Sequence, residues 1–313
     1  MITIIGTGTI AQEYAKILNS LDTKYIVVGN RVPRSSTTHK NFQCNILYGG
    51  IANNLTKIVD RGYAQKVIIC VPIEKLFNIT NLCIQFGITN ILVEKPGFLS
   101  DAEIRRWNGS NYFNNGTIYL ALNRLFYPSV CKLKKIIQKD SLGSAHLEIG
   151  ELLNKISLEK FDRNVLKHWG WSNTIHSIAT FFHLIGLPKK INTISNGEGI
   201  IPWHKNKSIF CGSGITNKNI PFTYNSNWNS VNRWGMSVYL KDKAYHLRPL
   251  ENLYEQTDPL SLNYKCITYQ DEPSFKPGFY DMVKNFLSGN KENFLSGQAI
   301  YETFIATKKI FDY

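Results

Sequence analysis

Apolar residues in the first third of the chain fall into short runs, separated by stretches whose apolar positions recur at helical spacing. The runs have the length of buried strands and end at glycine, asparagine or proline. They are ITIIG (2–6), YIVVGN (25–30), KVIICVP (66–72) and NILVEKP (90–96). IAQEYAKILNSL (10–21) and EKLFNITNLCIQFG (74–87) are predicted helices. Apolar strands that alternate with helices predict a parallel, doubly wound sheet.

The pattern changes beyond about residue 117, where longer strands show polar alternation, as in GMSVYLKDKAYHLRPL (235–250). Such alternation is typical of an antiparallel sheet with one exposed face. Two amphipathic helices are predicted near the end, in 278–289 and 296–311. We therefore expect an α/β protein with an N-terminal Rossmann domain (1–121) and a C-terminal α+β domain (122–313), whose large, mostly antiparallel sheet is open.

Composition excludes several classes of protein. No apolar run of the 313 residues approaches the roughly 20 needed to cross a bilayer, and the first strand follows Met1 directly. We expect a cytoplasmic protein that does not associate with membranes. The six cysteines are scattered, without any C-x-x-C pair, which indicates reduced thiols and no metal site.

The formal net charge of +13 has two interpretations. It is the sum of a generally basic surface, or it creates a field that attracts anionic ligands such as nucleotides and their sugar conjugates. No block of five or six like charges occurs, and no nucleic-acid-binding motif is present. We expect no nucleic-acid partner.

Gly6-x-Gly8-x-x-Ala11 follows the first predicted strand and opens the first helix. In this context Gly6 allows a tight turn, Gly8 lets the backbone approach a pyrophosphate, and Ala11 permits close packing of helix on strand. The helix N-terminus then offers N–H groups to phosphates. The motif predicts dinucleotide binding, although glycines at strand ends also simply make turns.

The end of the second strand favours NADP(H) over NAD(H). An NAD site places an acid there to bind the ribose 2′-hydroxyl, but this chain has Gly29 and Asn30. Arg31, Arg34, Ser35 and Ser36 follow, and these groups could hold a 2′-phosphate. A basic surface loop is the alternative interpretation.

Gly6/Gly8/Ala11, CVP at 70–72 and VEKPG at 93–97, in this order, resemble the glucose–fructose oxidoreductase / inositol dehydrogenase / rhizopine catabolism (Gfo/Idh/MocA) family of NAD(P)-dependent oxidoreductases. The resemblance extends over essentially the whole chain, and implies that Lys95 reaches toward the nicotinamide and polarises the substrate. It also implies cofactor contacts from a further set of residues. These are Thr9, Ile10, Val71, Pro72, Glu94 and Asn123.

The family also carries an aspartate four residues before a catalytic histidine. HWGWSNTIHSIA matches this segment and puts His176 in the histidine position, but Ser172 stands where the aspartate is usual. His176 is therefore expected to act as general acid without its usual partner. Further expected substrate contacts are Arg124, Trp171, Ser172 and Asn173, although for buried tryptophans a core position is the more common one.

These observations predict an oxidoreductase that moves a hydride between NADP(H) and a carbonyl or hydroxyl of a sugar or sugar-nucleotide, in carbohydrate biosynthesis. Relatives of this fold commonly pair their open sheets, so a homo-dimer or homo-tetramer is expected. Two alternatives stay open because of Ser172. One is a reductase of imines or conjugated bonds, and the other is a non-catalytic dinucleotide-binding sensor.

Overall fold

The computed structural model describes residues 1–32, 41–115, 117–153, 156–204, 206–260, 264–268 and 274–313. The chain divides into two compact units. The first comprises Met1–Leu122 and Ser274–Gly297, and the second comprises Asn123–Pro273 and Gln298–Tyr313.

The first unit is a six-stranded parallel sheet with helices in its crossovers. The strands lie in the order β3-β2-β1-β4-β5-β6, the doubly wound order of dinucleotide-binding folds. The elements are β1 (Ile2–Ile5), α1 (Thr9–Ser20), β2 (Tyr25–Val28), β3 (Ile46–Leu47), α2 (Gly50–Asp60), β4 (Lys66–Ile69), α3 (Leu76–Gln85), β5 (Ile91–Glu94), α4 (Asp101–Asn108), α5 (Asn111–Asn114) and β6 (Ile118–Ala121). The central strands β1 and β2 are buried along their whole length, which is why they contain almost no polar residues.

One segment from far along the chain completes this unit. Helix α10 (Phe279–Ser288) packs on α1, where the rings of Phe279 and Tyr14 lie 5.2 Å apart. At its other end, Lys66 Nζ donates hydrogen bonds of 2.7 Å to the carbonyl oxygens of Phe286 and Leu287. These bonds satisfy carbonyls that a helix C-terminus otherwise leaves without partners.

The second unit begins with a 3-10 turn at Asn123–Phe126 and contains an eight-stranded sheet in the order β14-β13-β12-β11-β7-β10-β9-β8. All neighbouring strands pair antiparallel except β7 and β10, which are parallel. The strands are β7 (Leu142–Gly150), β8 (Pro188–Asn196), β9 (Ile209–Thr216), β10 (Pro221–Asn227), β11 (Gly235–Leu240), β12 (Ala244–Leu247), β13 (Leu253–Gln256) and β14 (Lys265–Thr268). The helices are α6 (Pro128–Ile137), α7 (Arg163–Lys167), α8 (Trp169–Ser172), α9 (Ile175–Ile185) and α11 (Gly297–Phe311).

The two faces of this sheet differ in chemistry. Along β7, Ala145, Leu147 and Ile149 are buried, whereas His146 and Glu148 between them are partly exposed. The buried face packs on α9, where Phe181 and Phe182 contact Phe222 of β10. This alternation is the predicted one-sided sheet, and the predicted fold class is confirmed.

The structure differs from the predicted domain boundaries in one respect. The N-terminal portion ends at Leu122, close to the expected position, but Ser274–Gly297 belongs to the first unit although the sequence analysis placed it in the second. The amphipathic pattern of Ser274–Gly297 predicts a helix with one apolar face, but it does not identify the unit on which this face packs.

Within the described ranges, no helix is both long and apolar enough to span a bilayer.

Candidate active site

The carboxyl ends of the parallel strands gather the predicted cofactor residues at one edge of the first sheet. Gly6 follows β1, Asn30 follows β2, Val71 follows β4 and Lys95 follows β5. Because β1 pairs with both β2 and β4, and β4 with β5, these four strand ends are neighbours. Ligands of open α/β sheets bind at such an edge.

The turn after β1 requires glycine at one position and leaves space at the other. Gly6 has φ +130°, and a Cβ there would lie 2.5 Å from the carbonyl oxygen of Cys70. A Cβ on Gly8, in contrast, would meet no protein atom within 4 Å. Gly8 is also the N-cap of α1 and provides no side-chain cap for the first turn of that helix. The fold therefore requires Gly6, whereas the bare Gly8 fits a phosphate that approaches the helix N-terminus.

The end of β2 forms a corner that contains no acid. No aspartate or glutamate occurs between Asp22 and Asp60. Gly49 donates to the carbonyl of Asn30 at 3.3 Å, and a Cβ on Gly50 would lie 3.2 Å from Asn30 Oδ1. The turn that begins α2 thus packs closely on the exposed Asn30. Arg31 follows as an exposed side chain.

Three residues predicted for this corner, Arg34, Ser35 and Ser36, lie outside the described residues.

The end of β5 contains a partly buried acid beside the predicted catalytic lysine. Tyr14 of α1 donates a 2.6 Å hydrogen bond to Glu94 Oε1. Burial raises the pKa of Glu94, opposed by this hydrogen bond and by the positive charges of Lys95 and Lys276. Lys95 is partly exposed, and its peptide bond to Pro96 is cis. The strand end thus holds the lysine next to a carboxyl that is tied to the helix of the glycine turn.

In the second unit, Arg124 lies in the 3-10 turn directly after the buried Asn123. The guanidinium carbon lies 4.7 Å from the centre of the Trp234 ring, within the range of a cation–π contact. Burial lowers the pKa of Arg124, which Tyr127, Glu251 and Glu151 partly offset. Arg124 and Trp234 line a cavity of about 390 Å³ together with residues of three segments. These are Gly150–Leu152, Ser230–Arg233 and Pro249–Glu251.

The structure places the segment from Trp171 to His176 in well-packed surroundings. Trp171 is only 2% exposed and packs edge-on against Phe304, with ring centres 4.6 Å apart. Ser172 Oγ donates to the carbonyl of Val165 at 3.3 Å. His176 lies in the first turn of α9 and is 6% exposed. Burial makes Trp171 and Ser172 packing residues, so direct substrate contact by either remains only a prediction from the resemblance.

Glu151 was missed by the sequence analysis and organises this segment. It follows β7, and its Oε2 accepts hydrogen bonds from Trp169 Nε1 at 2.6 Å and from Asn173 Nδ2 at 3.3 Å. Its Oε1 accepts from Thr174 Oγ1 at 2.9 Å. Burial raises the pKa of Glu151, and these donors lower it. The carboxyl therefore connects the end of β7 to the residues just before His176.

Glycine permits two close approaches near this carboxyl. A Cβ on Gly150 would lie 1.8 Å from the carbonyl oxygen of Asn232, so only glycine allows the 230–234 segment to cover the end of β7. A Cβ on Gly170 would lie 2.3 Å from the Phe311 ring. The cavity wall and the segment before His176 therefore depend on two residues without side chains.

Among the described residues, no group of three or more histidine, cysteine, aspartate or glutamate side chains could hold a metal ion.

Comparisons with known proteins agree with this architecture. Residues 1–108 match the GFO_IDH_MocA family model, described as an oxidoreductase family with an NAD-binding Rossmann fold. A search of curated protein sequences found no match.

Solved structures share the fold across nearly the whole chain. UDP-N-acetylglucosamine 3-dehydrogenase GnnA from Acidithiobacillus ferrooxidans is 13% identical with a TM-score of 0.74, covering 99% of this chain and 96% of its own. An oxidoreductase from Agrobacterium radiobacter in complex with NAD+, L-tartaric acid and magnesium is 10% identical with a TM-score of 0.76, covering 99% and 95%. A putative NADPH-dependent oxidoreductase from Desulfitobacterium hafniense is 13% identical with a TM-score of 0.73, covering 99% and 94%. At these identities the likeness establishes the fold.

The fold of the chain and the family that its first 108 residues match are those of NAD(P)-binding oxidoreductases. Residues 1–108 match the Gfo/Idh/MocA family model, in agreement with the resemblance carried by the glycine turn and the Glu94–Lys95–Pro96 strand end.

Proposed function

We propose that the chain is an NADP(H)-dependent oxidoreductase that moves a hydride between the nicotinamide and a carbonyl or hydroxyl of a sugar or sugar-nucleotide in carbohydrate biosynthesis. The observation that carries this proposal is the shared sheet edge, where the glycine turn, the acid-free corner at Asn30 and Lys95 follow neighbouring strands. One of the solved structures with this fold is a UDP-N-acetylglucosamine 3-dehydrogenase, which supports the substrate class.

The bound cofactor supplies or accepts the hydride, and the protein supplies position and protons. Lys95 is proposed to hold the substrate oxygen by a charge-assisted hydrogen bond. His176 is proposed to give a proton to the developing alkoxide, since its ordinary pKa of about 6.5 suits that role. Asn173 is proposed to help orient the substrate.

Cofactor preference is tested by fluorescence titration with NADPH and NADH, alongside Arg31→Ala. A 2′-phosphate held by Arg31 predicts tighter NADPH binding in the wild type and an NADPH affinity at least about tenfold weaker in the variant, with little change for NADH. Arg61→Ala removes one positive charge from the same domain at an exposed site and is the control. Equal affinities for both cofactors in all three proteins would contradict the NADP assignment.

The alternatives are separated by turnover. Ser172 stands at the position of the family's aspartate and has no carboxyl group. This difference favours a reductase of imines or conjugated bonds, or a sensor that binds the cofactor without oxidising it. NADPH oxidation with keto-sugars that Lys95→Ala abolishes supports the proposed enzyme. The same loss with imine or enone substrates alone supports the second reductase, and tight NADPH binding without any turnover supports the sensor.

We further propose a homo-dimer or homo-tetramer formed through the partly exposed face of the eight-stranded sheet. This face has a cavity of about 510 Å³ lined by residues that include His146, Glu148, His246 and Arg248. It also exposes Ile194 to 77%. Sedimentation velocity is expected to show a dimer or larger species that Ile194→Asp dissociates, because a charge in an apolar contact is costly to bury. A wild-type monomer at micromolar concentration would refute this assembly.

A further inference from the structure

The cavity beside Arg124 contains a cation that forms no ion pair with a described acid. No described carboxylate lies within 4.0 Å of the Arg124 guanidinium, although Arg124 is only partly exposed. Taking a charged group from water without a partner costs several kcal/mol. A protein tolerates such a group where a ligand provides the counter-charge.

Neither acid of the same cavity forms an ion pair with Arg124 among the described residues. The Glu151 oxygens accept hydrogen bonds from Trp169, Asn173 and Thr174. The charges of Glu151 and Glu251 raise the pKa of Arg124 and so partly offset the effect of its burial. They moderate the field at the cavity without forming an ion pair with Arg124.

The guanidinium is also held in place before any ligand arrives. Trp234 covers one side of it at 4.7 Å, which restricts a side chain that otherwise has many rotamers. Trp234 follows a segment that is fixed to the end of β7, where Ser230 N donates a 3.2 Å hydrogen bond to the backbone carbonyl of Glu151. Only a glycine at position 150 allows this arrangement, because the carbonyl of Asn232 occupies the place of a Cβ.

We propose that Arg124 is the anion-binding residue of the substrate site, and that the substrate carries a phosphate or carboxylate group which pairs with it in this cavity. This inference rests on the proposed function and narrows its substrate class to anionic sugars, either sugar-nucleotides or sugar acids. Planar guanidinium groups bind both kinds of anion through paired hydrogen bonds. The net charge of +13 attracts such substrates from solution.

The test is isothermal titration of the NADPH-saturated protein with UDP-N-acetylglucosamine, UDP, glucuronate and uncharged N-acetylglucosamine. We expect at least one anionic probe to bind more tightly than N-acetylglucosamine. Binding of the UDP compounds without glucuronate identifies a phosphate as the ligand group, and the reverse identifies a carboxylate. Arg124→Met is expected to weaken the anionic probes at least about thirtyfold, and Arg124→Lys by less, because it keeps the charge but loses the planar fork.

Arg163→Gln removes a positive charge from an exposed site of the same unit and is the matched control. Thermal unfolding and NADPH affinity establish that the variants fold. Equal binding of the anionic probes by wild type and Arg124→Met, or no binding of any anionic probe by the NADPH-bound wild type, overturns the proposal. If the wild-type protein does not bind NADPH, the proposed function is wrong. The titrations with anionic probes on the same protein then still test the role of Arg124.

Discussion

The hydroxyl of Tyr14 donates a 2.6 Å hydrogen bond to Glu94 and so connects helix α1 to the end of strand β5. The helix begins at the glycine turn, and the strand leads into Lys95. One hydrogen bond from a buried tyrosine to a partly buried glutamate therefore connects two predicted parts of the cofactor site.

Tyr14→Phe should leave the partly buried Glu94 carboxyl without the hydrogen bond from the tyrosine hydroxyl. We expect the free energy of unfolding to fall by about 1–3 kcal/mol at pH 7, the usual effect of stranding a buried polar group. The variant also loses an interaction that lowers the Glu94 pKa, so that pKa should rise further. Urea unfolding measures the first effect, with Tyr119→Phe, another buried ring of this unit, as the control.

Gly6 and Gly8 separate the requirements of folding from those of binding. Gly6→Ala should lower the free energy of unfolding by more than about 2 kcal/mol, because its φ of +130° and the contact with Cys70 both oppose a Cβ. Gly8→Ala should cost less than about 1 kcal/mol, since its Cβ meets no protein atom. It should nevertheless weaken NADPH binding at least about tenfold, because the methyl group occupies the approach of the pyrophosphate.

Chemical denaturation and NADPH titration on the same two proteins provide both readouts. Unchanged NADPH affinity in folded Gly8→Ala would show that the phosphates bind elsewhere.

His183 should make the second unit sensitive to acid. Burial and the charges of Lys134 and Lys218 lower its pKa from 6.5 to about 4. Below pH 6.5 the unfolded chain takes up the proton first, so this residue's contribution to stability decreases as the pH falls from 6.5 to about 4. The loss should be on the order of 3 kcal/mol once the pH is below about 4.

Urea unfolding of wild type and His183→Gln between pH 4 and 7 measures this effect as a difference, which removes the contributions of other groups. Lys218→Met should raise the pKa of His183, because it removes one of the charges that lower it. The lower end of the pH range in which stability is lost should then move to higher pH. Parallel curves for wild type and His183→Gln would contradict the assignment.

A fragment of residues 1–122 should not fold cooperatively, because it lacks α10. It would expose the surface of α1 beside Tyr14 and leave Lys66 without the carbonyls of Phe286 and Leu287. Joining residues 274–297 to this fragment through a flexible linker should restore a sharp thermal transition and NADPH binding. A fragment of 1–122 that melts as sharply without the added segment would refute this.

Much of the first unit could be predicted because its strands are short, apolar and bounded by glycine or proline. Strand β3 was missed, since Ile46–Leu47 is too short to show any period. The packing of α10 on the first unit was also missed, because Lys66 and Phe286 are 220 residues apart. The residues around each of them show no pattern that identifies the other as a contact.

The candidate site was predictable only where a motif fixes the backbone. Gly6 and the Glu94–Lys95–Pro96 strand end belong to such motifs. Glu151 does not, because an acid after a strand resembles any surface carboxylate until folding brings Trp169 and Thr174 to it. The lack of an ion pair at Arg124 could not be foreseen either, since it depends on where the fold places the nearest described acids.

The return of Ser274–Gly297 to the first unit also has a consequence for synthesis of the protein. A ribosome makes the chain from its N-terminus, so the nucleotide-binding domain cannot be completed until all eight strands of the second unit have emerged. Until then its helix-packing surface stays uncovered in the nascent chain. Chaperone binding should therefore concentrate on this surface, and should end once residue 297 has left the exit tunnel.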